Sequence, residues 1–178
     1  PQPGETFSLL ALFSSLDEAI SCVPKIKMSG LDPQALEFLG RDMVVSIERF
    51  LEKTVFPGTS EGQEVGAYLL TTFEWARGEA VEDRMERAAE VCLENGAMDI
   101  IVYDTPEALR NAWAVRGATL EAILTDFKLN DECDVVVPIP RIPEFVNYVF
   151  SLENEVGLSV RASGHAGDGN VHVNVCAN

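Results

Sequence analysis

This sequence is short of histidine, of positive charge and of long apolar runs. It has only two histidines, and 13 lysines and arginines stand against 29 acidic residues, a formal net charge of -16 at pH 7. Such acidity argues against nucleic acid and anionic membrane surfaces as partners, because both repel it. No apolar run approaches the length of a membrane span. The stretch "FSLLALF" is short, lacks a basic flank and reads as a strand rather than a signal peptide. Four cysteines, Cys22, Cys92, Cys133 and Cys176, are scattered without a CxxC spacing, which points to reduced, mostly buried thiols of a cytosolic protein. No glycine-rich nucleotide loop follows the first apolar stretch. What remains is 47% hydrophobic and 24% charged over 178 residues, enough for one globular domain with a real core or two small ones. The chain begins at Pro1 and ends soon after a motif-like stretch, so it is expected to be a piece of a longer protein.

Strand and helix patterns alternate along the chain. "TFSLLALFSS" reads as a strand. A helix capped by Ser15 follows, with Asp17 and Glu18 in its first turn and Gly30 after its end; Pro24 is expected to kink or shorten it. "ALEFL" reads as a short strand and "RDMVVSIERFLEK" as a helix with Val44, Ile47, Phe50 and Leu51 on one face. "PGTSEGQEVG" reads as a loop, "AYLLTTFEW" as a strand, "AVEDRMERAAEVCLENG" as an amphipathic helix ended by Asn95–Gly96, and "DIIVYD" as a strand. "TPEALRNAWAVRGATLEAILTDF" predicts one helix capped by Thr105 with Pro106 at its first position, and "CDVVVPI" a continuous apolar strand. Pro143 opens a further helix, and two strands around a Gly/Asp turn close the chain. The fold class predicted is α+β: a sandwich of helices on a mainly antiparallel sheet, with a duplicated ferredoxin-like unit suggested by the similar order of the two halves.

Both histidines fall in "ASGHAGDGNVHVNV", residues 162–175. Strand alternation puts His172, Asn174 and Cys176 on one face and Val171, Val173 and Val175 on the other, toward the core. If Ala166 to Asn170 make the turn, His165 returns beside His172. Paired neutral imidazoles suit a zinc, iron or manganese ion, and Gly164, Gly167 and Gly169 allow close backbone approach or positive φ. A tight hairpin carrying two surface histidines satisfies the same pattern. Asp168 is a candidate third ligand, though turn chemistry accounts for it as well.

The string "SGHAGDGNVHVNV" resembles the "GHxGDGNxHxN" signature of FAD-linked oxidase C-terminal domains, in flavoproteins related to vanillyl-alcohol oxidase. The patterns nearest to it are those of the glycolate oxidase flavoprotein subunit, D-lactate dehydrogenase and D-2-hydroxyglutarate dehydrogenase. "FSLLALFSSLDEAI", "GLDPQALEFLGRDMV", "NAWAVRGATLEAI" and "DVVVPIPRIPEFV" are similar to further segments of that family in the same order, except that Gly40 stands near where an acidic residue is common. The resemblance implies that His165 and His172 bind a divalent metal, that Asn174 lies near substrate, that Asn170 sits in a loop facing the flavin, and that Arg116 receives the substrate carboxylate beside Trp113. A guanidinium fork suits a carboxylate; without the resemblance Arg116 reads as an exposed helix residue and Trp113 as core. Some members carry a lysine for a second carboxylate where this chain has Glu132–Cys133, which favours glycolate or lactate over a dicarboxylate.

Residues 1–178 are thus expected to form one substrate-binding or cap domain of an FAD-dependent 2-hydroxyacid dehydrogenase or oxidase, inactive alone, with the N-terminal FAD-binding domain and a C-terminal end absent. The partners implied are a small 2-hydroxy acid, the FAD-binding domain, and an electron-acceptor subunit, quinone or electron-transfer flavoprotein. The location implied is cytoplasmic, or peripheral to the inner membrane through a partner. The rival readings are a non-catalytic small-acid-binding or assembly module and a hydrolase using both histidines with Asp168.

Overall fold

A computed structural model of the chain describes residues 5–75 and 81–178. Its centre is β1 (Glu5–Phe13), where Phe7, Leu9, Ala11 and Phe13 point to one hydrophobic core and Leu10 and Leu12 to another. Both faces are covered, so the strand reads as an unbroken apolar run rather than an alternation. Beside it run β2 (Ala35–Gly40), β5 (Ala67–Trp75) and β6 (Asp99–Tyr103), joined by α1 (Leu16–Met28) and α3 (Val81–Glu94). Ala80, with which the sequence pattern starts the latter helix, lies outside the described residues. In space the order is β6-β1-β5-β2, with every pair antiparallel, so the first and third strands of a βαββαβ unit lie between the second and the fourth.

The second half repeats the first three strands and the first helix of this plan. β7 (Leu129–Val136), α6 (Ile142–Val156), β8 (Ser159–His165) and β9 (Asn170–Ala177) give the order β8-β9-β7, again antiparallel. The two units join through their second strands, β2 and β8, with Glu37 opposite His165, Phe38 opposite Gly164 and Leu39 opposite Ser163. Seven strands thereby form one sheet. α1, α3 and α6 cover one face; the other carries α2 (Arg41–Phe50), α4 (Pro106–Gly117) and α5 (Thr119–Asp126). The α+β, duplicated ferredoxin-like architecture read from the sequence is the one observed. Among the described residues no helix is long and apolar enough to cross a membrane.

Several local expectations change. α1 runs through Pro24 to Met28, because Ile20, Val23 and Ile26 pack into the core and offset the amide that proline removes. α2 buries Met43, Val44 and Ile47, whereas Phe50 and Leu51 are exposed. The loop after it holds a two-stranded ribbon, β3 (Thr59–Ser60) and β4 (Gln63–Glu64), turned by Glu61 and Gly62 at φ 48° and 82°. The single helix expected over Thr105–Phe127 is two. Ala118 (φ -93°, ψ 4°) closes α4 and opens α5, and the Thr119 hydroxyl donates to the Arg116 carbonyl at 2.8 Å. The strand expected at Cys133–Ile139 starts earlier, at Leu129, and is a sheet edge with Leu129 and Val136 exposed; Ile139–Arg141 is a 3-10 turn. Of the four cysteines Cys133 is exposed, and all four are free.

Candidate functional site

Leu36, Phe38 and Leu39 of β2 are buried as any central-strand residues would be, but Glu37 between them is 4% exposed and charged. Burying a carboxylate is costly unless it is paired. Its register partner across the seam is His165, the last residue of β8. The Glu37 Oε1–His165 Nδ1 distance is 2.5 Å. Four residues then turn the chain: the Asp168 amide donates to the His165 carbonyl at 3.0 Å and the Gly169 amide to the Ala166 carbonyl at 3.3 Å. Gly169 adopts φ +79°, and a Cβ there would stand 2.3 Å from the Val137 carbonyl oxygen. A Cβ on Gly164 would stand 2.3 Å from the Asn170 carbonyl oxygen. The glycines therefore fix the hairpin by close backbone approach.

On the return strand β9, His172 pairs with Ser163, and the two imidazole rings stand 5.3 Å apart, edge to face. His172 Nδ1 lies 3.5 Å from a carboxylate oxygen of Glu132 and one of Asp134, both on β7, and makes no hydrogen bond among the described residues. Asn174, two residues on and 2% exposed, has an amide oxygen with no partner there either. Val171 and Val173 point into the opposite core, as alternation requires. Asn170 opens β9 and donates from Nδ2 to Asp134 Oδ1 at 2.7 Å. Asp168 is exposed on the turn.

Arg116 closes the arrangement from above. The helix break at Ala118 leaves it in the last turn of α4, where a cation is favoured by the helix dipole. Its Nε is 3.5 Å from Glu37 Oε2, and its Nη2 meets His165 Nε2. A cleft of about 200 Å³ opens beside it, lined by Arg116, Thr119, Glu37, Glu132, His172 and Asn174. Trp113, one turn earlier on α4, lines a neighbouring hollow with Arg116, His165 and Asp168. The tertiary structure thus brings Arg116, His165, His172 and Asn174 together, and Asn170 is not among the residues that line the cleft. Among the described residues no three His, Cys, Asp or Glu side chains converge as a metal site. Chemically the cleft offers a guanidinium, the His172 imidazole and an amide oxygen without a donor among the described residues, with the His165 imidazole in the neighbouring hollow, a set matched to a small anion bearing a hydroxyl.

Sequence reasoning gave Glu37 no role. A signal was present: it is the sole charged residue in the otherwise apolar segment "ALEFLG".

The family model for FAD linked oxidases, C-terminal domain, matches residues 2–178. The chain belongs to that family. It is 50% identical over 178 residues to a D-lactate dehydrogenase of Anaerostipes hadrus, covering 100% of this chain and 38% of that protein. It is 30% identical to a D-lactate dehydrogenase of Archaeoglobus fulgidus (97% of this chain, 36% of the relative) and 27% identical to the glycolate oxidase subunit GlcD of Bacillus subtilis (97% and 35%). The chain therefore spans little more than a third of the length of these curated relatives. Among solved structures, alkyldihydroxyacetonephosphate synthase shares the fold at a TM-score of 0.63 and 13% identity, covering 100% of this chain and 37% of that one. The 4-ethylphenol oxidase of Gulosibacter chungangensis does so at 0.63 and 12%, covering 99% and 40%. The resemblance read from "GHAGDGNVHVN" is thus the family found, and the cofactor in that family's description is FAD.

Proposed function

We propose that this chain is the substrate-binding domain of an FAD-dependent 2-hydroxyacid dehydrogenase of the D-lactate dehydrogenase or glycolate oxidase kind. The observation that carries the reading is the convergence of Arg116, His172 and Asn174 on one cleft, in a family of FAD-linked oxidases. Arg116 receives the substrate carboxylate through its paired N–H donors. The Asn174 amide oxygen, buried without a partner among the described residues, accepts from the 2-hydroxyl and fixes which C–H faces the flavin. A base other than the metal-holding imidazoles takes the hydroxyl proton as the C–H bond breaks. FAD, when bound, would supply the hydride acceptor, and Asn170 is the residue of this chain assigned to face it. His165 and His172 are the residues that would hold a divalent zinc, manganese or iron ion once Arg116 turns from His165 Nε2 toward the substrate, with a third ligand from outside them, and such an ion would polarise the hydroxyl. The Glu132 carboxylate lines the same cleft and repels a second substrate carboxylate, which favours lactate or glycolate over a dicarboxylate.

An FAD-binding domain of the same polypeptide covers the cleft in this reading. Electrons pass to a quinone, an electron-transfer flavoprotein or a partner subunit, in the cytoplasm or at the inner membrane surface. The test is anaerobic mixing of the full-length flavoprotein with D-lactate and with glycolate. Bleaching of the flavin band near ~450 nm by either is expected, and the 178-residue chain alone should show no such band. A full-length protein whose flavin no 2-hydroxy acid reduces would overturn the reading in favour of a non-catalytic module.

A further inference from the structure

The two oxygens of the buried Glu37 carboxylate face different partners: Oε1 meets His165 Nδ1 at 2.5 Å, and Oε2 lies 3.5 Å from Arg116 Nε. Arg116 also sets its Nη2 against His165 Nε2. A guanidinium has donors only, so the ring must offer that nitrogen's lone pair and carry its hydrogen on Nδ1, where Glu37 accepts it. The three side chains form one connected set, in which Arg116 Nε faces Glu37, Arg116 Nη2 faces His165 and His165 Nδ1 faces Glu37.

We propose that Glu37 is a positioning residue. It sets the tautomer and orientation of His165 and the aim of Arg116 with a single carboxylate, so that the imidazole lone pair and the guanidinium fork arrive pre-aligned. Glu37 acts through His165 and Arg116. Its function rests on the reading above, but its geometry does not: the contacts cross the β2–β8 seam, where two paired strands hold both side chains in register. Outer residues of this kind orient a ring and fix its tautomer. A carboxylate is needed because an amide offers one acceptor oxygen instead of two. In Glu37→Gln, either the amide oxygen keeps the Nδ1 hydrogen and the NH₂ is driven against Arg116, or the NH₂ faces Nδ1 and forces the ring hydrogen onto Nε2, against the guanidinium.

The experiment is nitrogen NMR of the 178-residue chain with labelled histidine at about pH 8, where an ordinary imidazole is neutral; a His172→Gln spectrum assigns His165. The wild-type ring is expected in the Nδ1–H form. Glu37→Gln should lower that population, and Glu37→Asp should restore part of it. In the full-length flavoprotein, Glu37→Gln should lower kcat/KM for D-lactate or glycolate about tenfold or more. A wild-type His165 in the Nε2–H form overturns the proposal at once, even if no variant folds. So does a Glu37→Gln protein in which both the His165 tautomer and the full-length kcat/KM equal those of the wild type. A full-length protein that oxidises no 2-hydroxy acid, while the tautomer responds as stated, removes the functional reading and leaves the positioning role.

Discussion

Three glycines separate backbone strain from steric overlap around the histidine turn. Gly157, after α6, has φ +68° and open space where a Cβ would stand. Gly164 has no positive φ, but its Cβ would stand 2.3 Å from the Asn170 carbonyl oxygen and 3.1 Å from Phe38 Cε1. Gly169 combines both: φ +79° and a Cβ 2.3 Å from the Val137 carbonyl oxygen. An alanine in the left-handed region costs about 1–2 kcal/mol. Overlap with packed neighbours costs about 1–3 kcal/mol. Gly157→Ala should therefore lose about 1 kcal/mol, Gly164→Ala about 2, and Gly169→Ala about 3–4. In a domain of this size each kcal/mol moves the melting temperature by about 2–4 °C. Thermal melts of the three variants should fall in that order, with Gly169→Ala about 10 °C below the wild type. Gly169→Ala should also separate the two imidazoles, because it displaces the turn that returns β9 to β8. A Gly169→Ala melt equal to that of Gly157→Ala would refute the reasoning, since the carbonyl of Val137 would then impose nothing.

Arg116→Lys in the full-length protein keeps a cation and loses the fork, so kcat/KM for the 2-hydroxy acid should fall by about 2 kcal/mol, about thirtyfold, with little change in melting temperature; the reverse pattern would return Arg116 to a structural role. The buried Ser8 and Thr72 hydroxyls hydrogen-bond at 2.6 Å. Ser8→Ala should cost about 1–3 kcal/mol by orphaning Thr72, whereas adding Thr72→Val should recover part of that loss in denaturant titrations. Burial pushes the Asp126 carboxyl up, but hydrogen bonds from Ser46 and Arg49 and the charges of Arg49 and Arg161 more than offset it, so its pKa lies below the ordinary value. A depressed carboxyl stabilises the fold above its unfolded pKa and loses that contribution as pH falls through its folded value. Asp126→Asn should therefore be less stable than wild type at pH 7, and the gap should close through the acid range; a gap constant with pH would remove the ionic origin.

Local rules wrote much of this molecule. Ser15 and Thr105 accept the amide hydrogen bonds expected of helix caps, and residues 67–75 form the strand that their β-branched and aromatic content predicts. The pattern from Gly164 to Asn174 dictated a tight hairpin with His172 and Asn174 on one face, because period two and glycine-rich turns need only neighbours in sequence. What neighbours cannot fix was misread or unseen. Pro24 stays inside α1 because burial outweighs a local penalty. β7 reads as a core strand from its valines, yet lies at an edge because the sheet order leaves it a single partner. The Arg116 helix breaks at Ala118, which no strong breaker marks beyond Gly117. Glu37 meets His165 across 128 residues, through a register that exists only once the second strands of two folded units have paired. The sequence alone therefore determined the family, the duplicated plan and the histidine hairpin; the connected set of Glu37, His165 and Arg116 was decided by the seam between the two units, because its contacts are set by strand register and not by spacing along the chain.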